Sequence, residues 1–360
     1  MDTLIATPGN TKLQIAGARF DQVRILADDL TGACDAAAQF AACGFGVRVW
    51  LGPEGIGHEQ VQAFNTASRA LKPTLAAEAV AATASKIPGG CRTLWFKKVD
   101  SAGRGQIAAE LRAAQQSLRT RAILFAPSFP EAGRTVTGGI LRVQDAEGER
   151  RIDLMSLLAS EFSQLDRVAE AWEIAGSLQG GASLLLCDAA TSGELEEIAA
   201  VEEPGLLYAG SAGLARALAR STAPQVPAAV IPRVERAMTV CGTPHRVTQM
   251  QMKHLGDALP DHPRVQVKAE ASDAAWIIRE FERHDPEAMV LTGGDTALLA
   301  LTALGVNSIV LHGEMAPGIP WGFVRGGMAD GRIVVTKSGG FGDSTTLTRV
   351  IRMLTAERAE

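Results

Sequence analysis

The stretch VRILADDLTGA, Val23 to Ala33, carries five apolar or strand-compatible residues straight into two aspartates and a Thr-Gly-Ala turn. An apolar run that ends in Asp, Thr and Gly and gives way to an Ala-rich amphipathic segment is how a parallel strand feeding its crossover helix reads in sequence. The same rhythm recurs outward along the chain. Strand-like runs begin at Val47, Val61, Thr93, Ala122, Ser183 and Leu206, and a second series begins at Thr239, Arg264, Ala288, Ser308 and Arg332. Between the series, STAPQVPAAVIPRVE (Ser221 to Glu235) places Pro224, Pro227 and Pro232 where they block helix and discourage a central strand. The expectation is an α/β protein of two domains, each a mainly parallel sheet flanked by helices, with the active site in the interdomain cleft. Residues 1–20 form a loose lead-in, 21–222 a first domain, 223–236 a linker and 237–360 a second domain.

Composition narrows the function. The 360 residues suit about two domains. A net charge of -5 lacks the basic footprint of a nucleic-acid binder, and 46% hydrophobic residues exclude a disordered chain. No run is apolar for the ~18 residues of a membrane span and the N-terminus has no secretory core, so a cytoplasmic protein is expected. Cys34, Cys43, Cys91, Cys187 and Cys241 form no C-x-x-C pair and are expected reduced, and the six histidines have no metal spacing. A symmetric homodimer is the general expectation for an enzyme of this size.

Chemistry concentrates at strand ends, where open α/β sheets bind ligands. Asp28 and Asp29 precede a helix N-terminus, which attracts anions; capping by Asp29 or Thr31 is the plain alternative. FKKVDSAGRG (Phe96 to Gly105) crowds Lys97, Lys98, Asp100, Ser101 and Arg104 into one turn, suited to a small hydroxylated anion. Arg69 in NTASR offers a carboxylate clamp, and the stiff turn Ala126 to Arg134 offers a wall. In the second series, the turn Thr292-Gly293-Gly294-Asp295-Thr296 and the turn Lys337-Ser338-Gly339-Gly340 let backbone amides approach phosphates. Gly242 and Thr243 close the first strand there, and Glu314 and Gly318 flank a rigid acidic loop. No P-loop, dinucleotide fingerprint or nucleophile elbow is present, which argues against a dehydrogenase or an α/β-hydrolase.

Taken together, DDLTGA (Asp28 to Ala33), NTASRAL, KKVDS, APSFPEAGRT, GSAGLA, VCGTPHRVTQMQ, TGGDTA, GEMAPGIPWG and TKSGGFGD resemble the four-carbon acid sugar kinase family, in consistent order over nearly the whole chain. The resemblance implies an ATP-dependent kinase that phosphorylates the terminal hydroxyl of a threonate- or erythronate-like acid. It implies an acid-binding N-terminal domain, with Asp28, Asp29, Arg69, Lys98, Asp100 and Ser101 at the acid. It further implies a nucleotide-binding C-terminal domain, with Thr243, Gly293 to Thr296 and Gly339 or Gly340 at ATP. On that footing Asp100 or Asp29 orients and deprotonates the hydroxyl, Lys97 and Lys98 add charge, Arg69 and Lys98 hold the carboxylate, Lys337 offsets phosphoryl charge, and Asp295 or Glu314 supports Mg²⁺. Two departures stand out. The family reads close to D-S-T-L-R-G-N where this chain has Asp100-Ser101-Ala102-Gly103-Arg104-Gly105-Gln106, and the chain is shortened after Val143. A kinase for another small hydroxy acid, and a non-catalytic sensor of ATP and an acid, are the alternatives.

Overall fold

The computed structural model describes residues 20–355 except 56, 146, 147 and 224, so the lead-in lies almost wholly outside the described residues. The first series comprises β1 (Gln22–Ala27), β2 (Val47–Trp50), β3 (Val61–Asn65), β4 (Thr93–Lys98), β5 (Ala122–Ala126), β6 (Arg134–Thr137), β7 (Ile140–Asp145), β8 (Gly148–Asp153), β9 (Leu165–Val168), β10 (Leu184–Cys187) and β11 (Leu206–Gly210). The second comprises β12 (Ala237–Cys241), β13 (Arg264–Gln266), β14 (Ala288–Thr292), β15 (Ser308–Ala316), β16 (Ile319–Arg325) and β17 (Ile333–Lys337). Each strand-like run read in the sequence is a strand. The strands that the sequence reading does not pick out are β16, β9 and the three-stranded antiparallel sheet β6-β7-β8.

The two series do not keep separate sheets. They join edge to edge in one 14-stranded sheet, ordered β13-β12-β14-β17-β16-β15-β2-β3-β1-β4-β11-β5-β10-β9. The seam is antiparallel, with Val47 opposite Leu311 and Trp50 opposite Ser308. An unpaired strand edge is a row of unsatisfied donors and acceptors, so pairing β2 with β15 covers both. The helix Leu30–Ala41 lies against this seam, and all twelve of its residues are buried. Its sequence, LTGACDAAAQFA, explains how: small residues cover most of its surface and pack closely, while the stripe Thr31, Asp35 and Gln39 is its one polar face and brings Asp35 to the cavity. One apolar cluster consequently runs through both series, from Val23 and Ile25 through Ala33 and Ala37 to Met289, Leu291 and Ala297.

Register fixes where the polar turns fall. Parallel pairing sets Ala27 level with Asn65 and with Lys98, and Lys98 level with Gly210. In the second series Cys241, Thr292 and Lys337 are likewise level. The turns after β1, β3 and β4 therefore share one carboxyl edge, and those after β12, β14 and β17 another. No helix among the described residues is long and apolar enough to cross a membrane.

Candidate active site

The two carboxyl edges face a cavity of about 440 Å³. Asp29, Lys98, Asp100 and Ser101 line it from the first series, and Thr243, Asp295, Ser338 and Gly340 from the second. Asp29 caps the helix Leu30–Ala41, accepting from the Gly32 amide at 2.8 Å and the Thr31 hydroxyl at 2.7 Å. The capping alternative is thus realised, and the same carboxylate still reaches the cavity. Gly32 is required for a second reason: a Cβ there would lie 2.5 Å from Asp29 Oδ1 and 3.1 Å from Lys98 Nζ. Opposite, a Cβ on Gly294 would collide with the Asp29 carboxylate, so Gly294 is where the second series presses onto the first. The Ser338 hydroxyl donates to Thr31 Oγ1 across the same gap at 3.2 Å.

Arg69 is the hub of the acidic wall. Its loop is stitched to β1 by amides of Ser68 and Arg69 donating to the Asp28 carbonyl. The guanidinium grips Asp28 through two bonds of 2.7 and 2.8 Å, pairs with Asp29 at 2.8 Å and reaches Asp100 at 3.7 Å. Asp100 also accepts from Arg104 Nε and Nη2 at 2.9 and 2.8 Å and from the Arg104 amide. Burial alone would raise both carboxyls; Arg69, with Arg104 at Asp100, outweighs it and holds Asp28 and Asp100 below the usual carboxylate range.

Several candidates fall elsewhere. Lys97 and Lys98 are neighbours on a strand and so point to opposite faces. Lys98 faces the cavity, whereas the fully buried Lys97 is ion-paired to Glu110 at 2.6 Å, which corrects the expectation that both lysines meet a ligand. Glu314 accepts from the Gly318 amide at 2.8 Å and braces the β15–β16 hairpin away from the cavity lining. Lys337 is buried, its ammonium donating to the Ser338, Gly339 and Phe341 carbonyls and to Thr248. Gly242, Gly293, Thr296 and Gly339 form the packed underlayer of the glycine turns: a Cβ on Gly242 would sit 2.5 Å from Thr296 Oγ1, and one on Gly339 2.8 Å from Thr243 Oγ1. Gly293 holds φ +100, a conformation open chiefly to glycine.

The cavity also contains Asp35, Asp145 and Arg150, which no motif singles out, together with Arg134 at the end of the turn expected to offer a wall and His245 and Phe341, which the quoted motifs contain without a role of their own. Asp35 follows Gly32 by three positions on one helix face, a spacing that was available in the sequence. Its Oδ1 has no partner, and burial together with Glu314 and Asp29 pushes its pKa up to about 7, against the pull of Lys98 and Arg216. The native protein therefore keeps this proton between about pH 4 and pH 7 while the unfolded chain has released it, and stability is lost as pH rises through that window. Asp35→Asn, which stays neutral, is expected to gain about 2 kcal/mol on the wild type between pH 5 and pH 8 in urea unfolding. Parallel curves for the two proteins would show that Asp35 is ionised at both pH values.

An acid-lined wall facing glycine-rich turns, at paired carboxyl edges, suits a small hydroxylated ligand on one side and a phosphate-bearing one on the other. Residues 23–164 match the family model of a sugar-binding N-terminal domain and residues 270–347 that of a nucleotide-binding C-terminal domain. The chain belongs to the four-carbon acid sugar kinases, a family of carbohydrate-acid kinases. It is 30% identical to the D-threonate kinase of Cupriavidus necator over 415 aligned positions, covering 93% of this chain and 98% of that protein. It is 28% identical to the D-threonate kinase of Bordetella bronchiseptica over 403 positions, with the same coverage. Both alignments are longer than the 360 residues here, so those relatives carry internal segments that this chain lacks. The fold is similar to the crystal structure of a Haemophilus influenzae protein, at TM-score 0.66 and 18% identity over 89% of this chain and 97% of that one.

Proposed function

We propose that this protein transfers the γ-phosphoryl group of ATP to the terminal hydroxyl of a four-carbon acid sugar of the threonate or erythronate type. The observation that carries the reading is the single cavity in which the Asp29, Arg69, Lys98 and Asp100 wall faces Thr243, Asp295, Ser338 and Gly340. Residues 21–222 would hold the acid, 237–360 the nucleotide, and 223–236 would link them, which places the reaction in the cleft between. The D-threonate kinases matched over nearly their whole length support the acceptor class.

Phosphoryl transfer asks the protein chiefly for positioning and charge neutralisation. Asp29, held in direction by the Gly32 amide and Arg69, and Asp100, held by Arg69 and Arg104, can each orient the acceptor hydroxyl without first reorganising; the depressed pKa of Asp100 makes it a weak proton acceptor, so its part is orientation. Lys98 adds a cation beside them. The glycine turns suit a polyphosphate because Ser338 and Gly340 carry main chain to the cavity wall, where backbone amides can approach phosphate oxygens. Mg²⁺, when bound, would neutralise phosphate oxygens. Among the described residues no three His, Cys, Asp or Glu side chains converge on a metal position, so the ion would be held largely by the nucleotide, with Asp295 the carboxylate on that wall.

ADP release should be measured with ATP and Mg²⁺ across D- and L-threonate, D- and L-erythronate, and three- and five-carbon acids. Turnover with one four-carbon acid is expected. Turnover with only a shorter or longer acid would favour the second reading, to which the Arg104 clamp on Asp100 in the altered turn points. ATP binding with no turnover on any acid would favour a sensor.

A further inference from the structure

Arg69, the obvious carboxylate clamp, is already committed to Asp28, Asp29 and Asp100. Lys98 donates to the Val99 carbonyl at 2.9 Å, and Arg104 is spent on Asp100. A different cation on the cavity wall is left short of partners. Arg134 opens β6 and is only 9% exposed, yet its Nε is buried without a hydrogen-bond partner. Its ion-pair partner among the described residues, Asp145 of β7, stands 3.9 Å away. Asp145 is drawn closer to Arg150 of β8, at 3.1 Å, so one carboxylate serves two guanidinium groups.

This arrangement is held rigidly. The Arg134 amide donates to the Phe129 carbonyl at 3.1 Å and the Phe129 amide donates back at 2.8 Å. Phe129 is itself buried against Phe341 of the glycine turn, ring centroids 6.1 Å apart. A guanidinium enclosed this far without a hydrogen-bonded anion is unfavourable, since buried polar groups lose their water and need a replacement partner. Burial lowers its pKa although Asp145 opposes the shift. A carboxylate presented in the plane of the fork supplies two charge-assisted bonds at once and removes that penalty.

Resting on the kinase reading above, we propose that Arg134, seconded by Arg150 across Asp145, anchors the carboxylate of the acid acceptor and so selects acids over uncharged polyols of the same length. Arg69 then acts as the brace of the acidic wall. The small sheet β6-β7-β8, outside the main sheet, is in this view the specificity element of the site.

The test is calorimetric titration, with steady-state kinetics alongside, of the wild type, Arg134→Gln, Arg134→Lys and Asp145→Asn. The probes are D-threonate and D-erythronate, with threitol and erythritol as uncharged counterparts. Arg134→Gln is expected to weaken acid binding about 100-fold and raise KM for the acid in step, leaving KM for ATP and the weak polyol binding unchanged. Arg134→Lys should recover part of the loss, because it returns charge without the fork. Asp145→Asn should tighten acid binding several-fold by removing the competing carboxylate, an effect of opposite sign that a merely structural role for Arg134 does not produce. Acid affinity unchanged in Arg134→Gln, or acid and polyol weakened alike, would overturn the proposal while leaving the kinase reading intact. So would weaker acid binding in Asp145→Asn. A wild type that neither binds nor phosphorylates any four-carbon acid would sink the kinase reading and this inference with it.

Discussion

Arg69→Ala is expected to destabilise the protein by about 3–5 kcal/mol and to lower turnover on the best acid by a factor of order 10³. The stability loss follows from what remains behind. Asp28, Asp29 and Asp100 are all buried, and each lies within ion-pair reach of the one guanidinium. Without it three carboxylates crowd one another with Lys98 and Arg104 as the nearby cations. Truncating one partner of a buried ionic cluster costs more than the cluster contributes, because the uncompensated charges stay desolvated. The turnover loss follows from the same geometry: repulsion pushes Asp29 and Asp100 off the directions in which they would hold a hydroxyl.

The sign of the pH dependence makes this prediction specific. Asp28 and Asp100 are held below their ordinary values in the native protein, so the stability they contribute is present above the unfolded carboxylate range near pH 4 and disappears as pH falls through their native values. In Arg69→Ala their pKa values rise and the carboxyls protonate readily. The gap between wild type and variant should be widest at pH 7–8 and narrow steadily below about pH 4 in urea titrations. A gap independent of pH would show that the variant loses packing, with the charge cluster contributing little.

Much of this site was legible because chemistry and secondary structure coincide at strand ends. In VRILADDLTGA the strand, the turn and the helix cap are all local, and the structure places Asp28, Asp29 and Gly32 at the carboxyl edge that the pattern requires. The same holds for Asn65 to Arg69 after β3 and for Gly293 to Asp295 after β14. Lys97 shows the limit of reading a motif as a block. Two adjacent lysines on a strand cannot share a face, and the period-2 rule applied to TLWFKK would have separated them. Arg134 was read only as the end of a stiff turn, and Asp145 and Arg150 were missed, although the signal was local: Gly138-Gly139, both at positive φ, is a two-residue hairpin turn that sets Thr137 opposite Ile140, and a second hairpin sets Asp145 opposite Gly148. The seam between β2 and β15 is a different case, since it joins strands far apart in the sequence. VRVW and SIVLH look like any other strands, and their meeting is decided by the globular whole, which is why two sheets were expected and one was found.

Lys337→Met is expected to lower kcat by about 10²–10³ while the protein stays folded, and to erase a limb of the pH profile. Lys337 is fully buried, and burial brings its pKa down to about 7, with no carboxylate paired to it among the described residues. Its ammonium instead gathers the carbonyls of Ser338, Gly339 and Phe341, so it shapes the glycine turn and stores a positive charge beneath it. On the reading proposed here, the polyphosphate of ATP over that turn favours the charged form. The free protein would then lose the proton as pH rises through about 7, and kcat/KM for ATP should fall over the same range. In the nucleotide complex the nearby phosphates raise the pKa, so kcat should hold to higher pH than kcat/KM. ATP binding near pH 7 should accordingly draw a proton from the buffer, seen as a binding enthalpy that changes with the buffer's ionisation enthalpy. Lys337→Met would lose both the proton uptake and the alkaline fall in kcat/KM. Persistence of either in the variant would move the titration to another group, and full kcat in the variant would restrict Lys337 to bracing the turn.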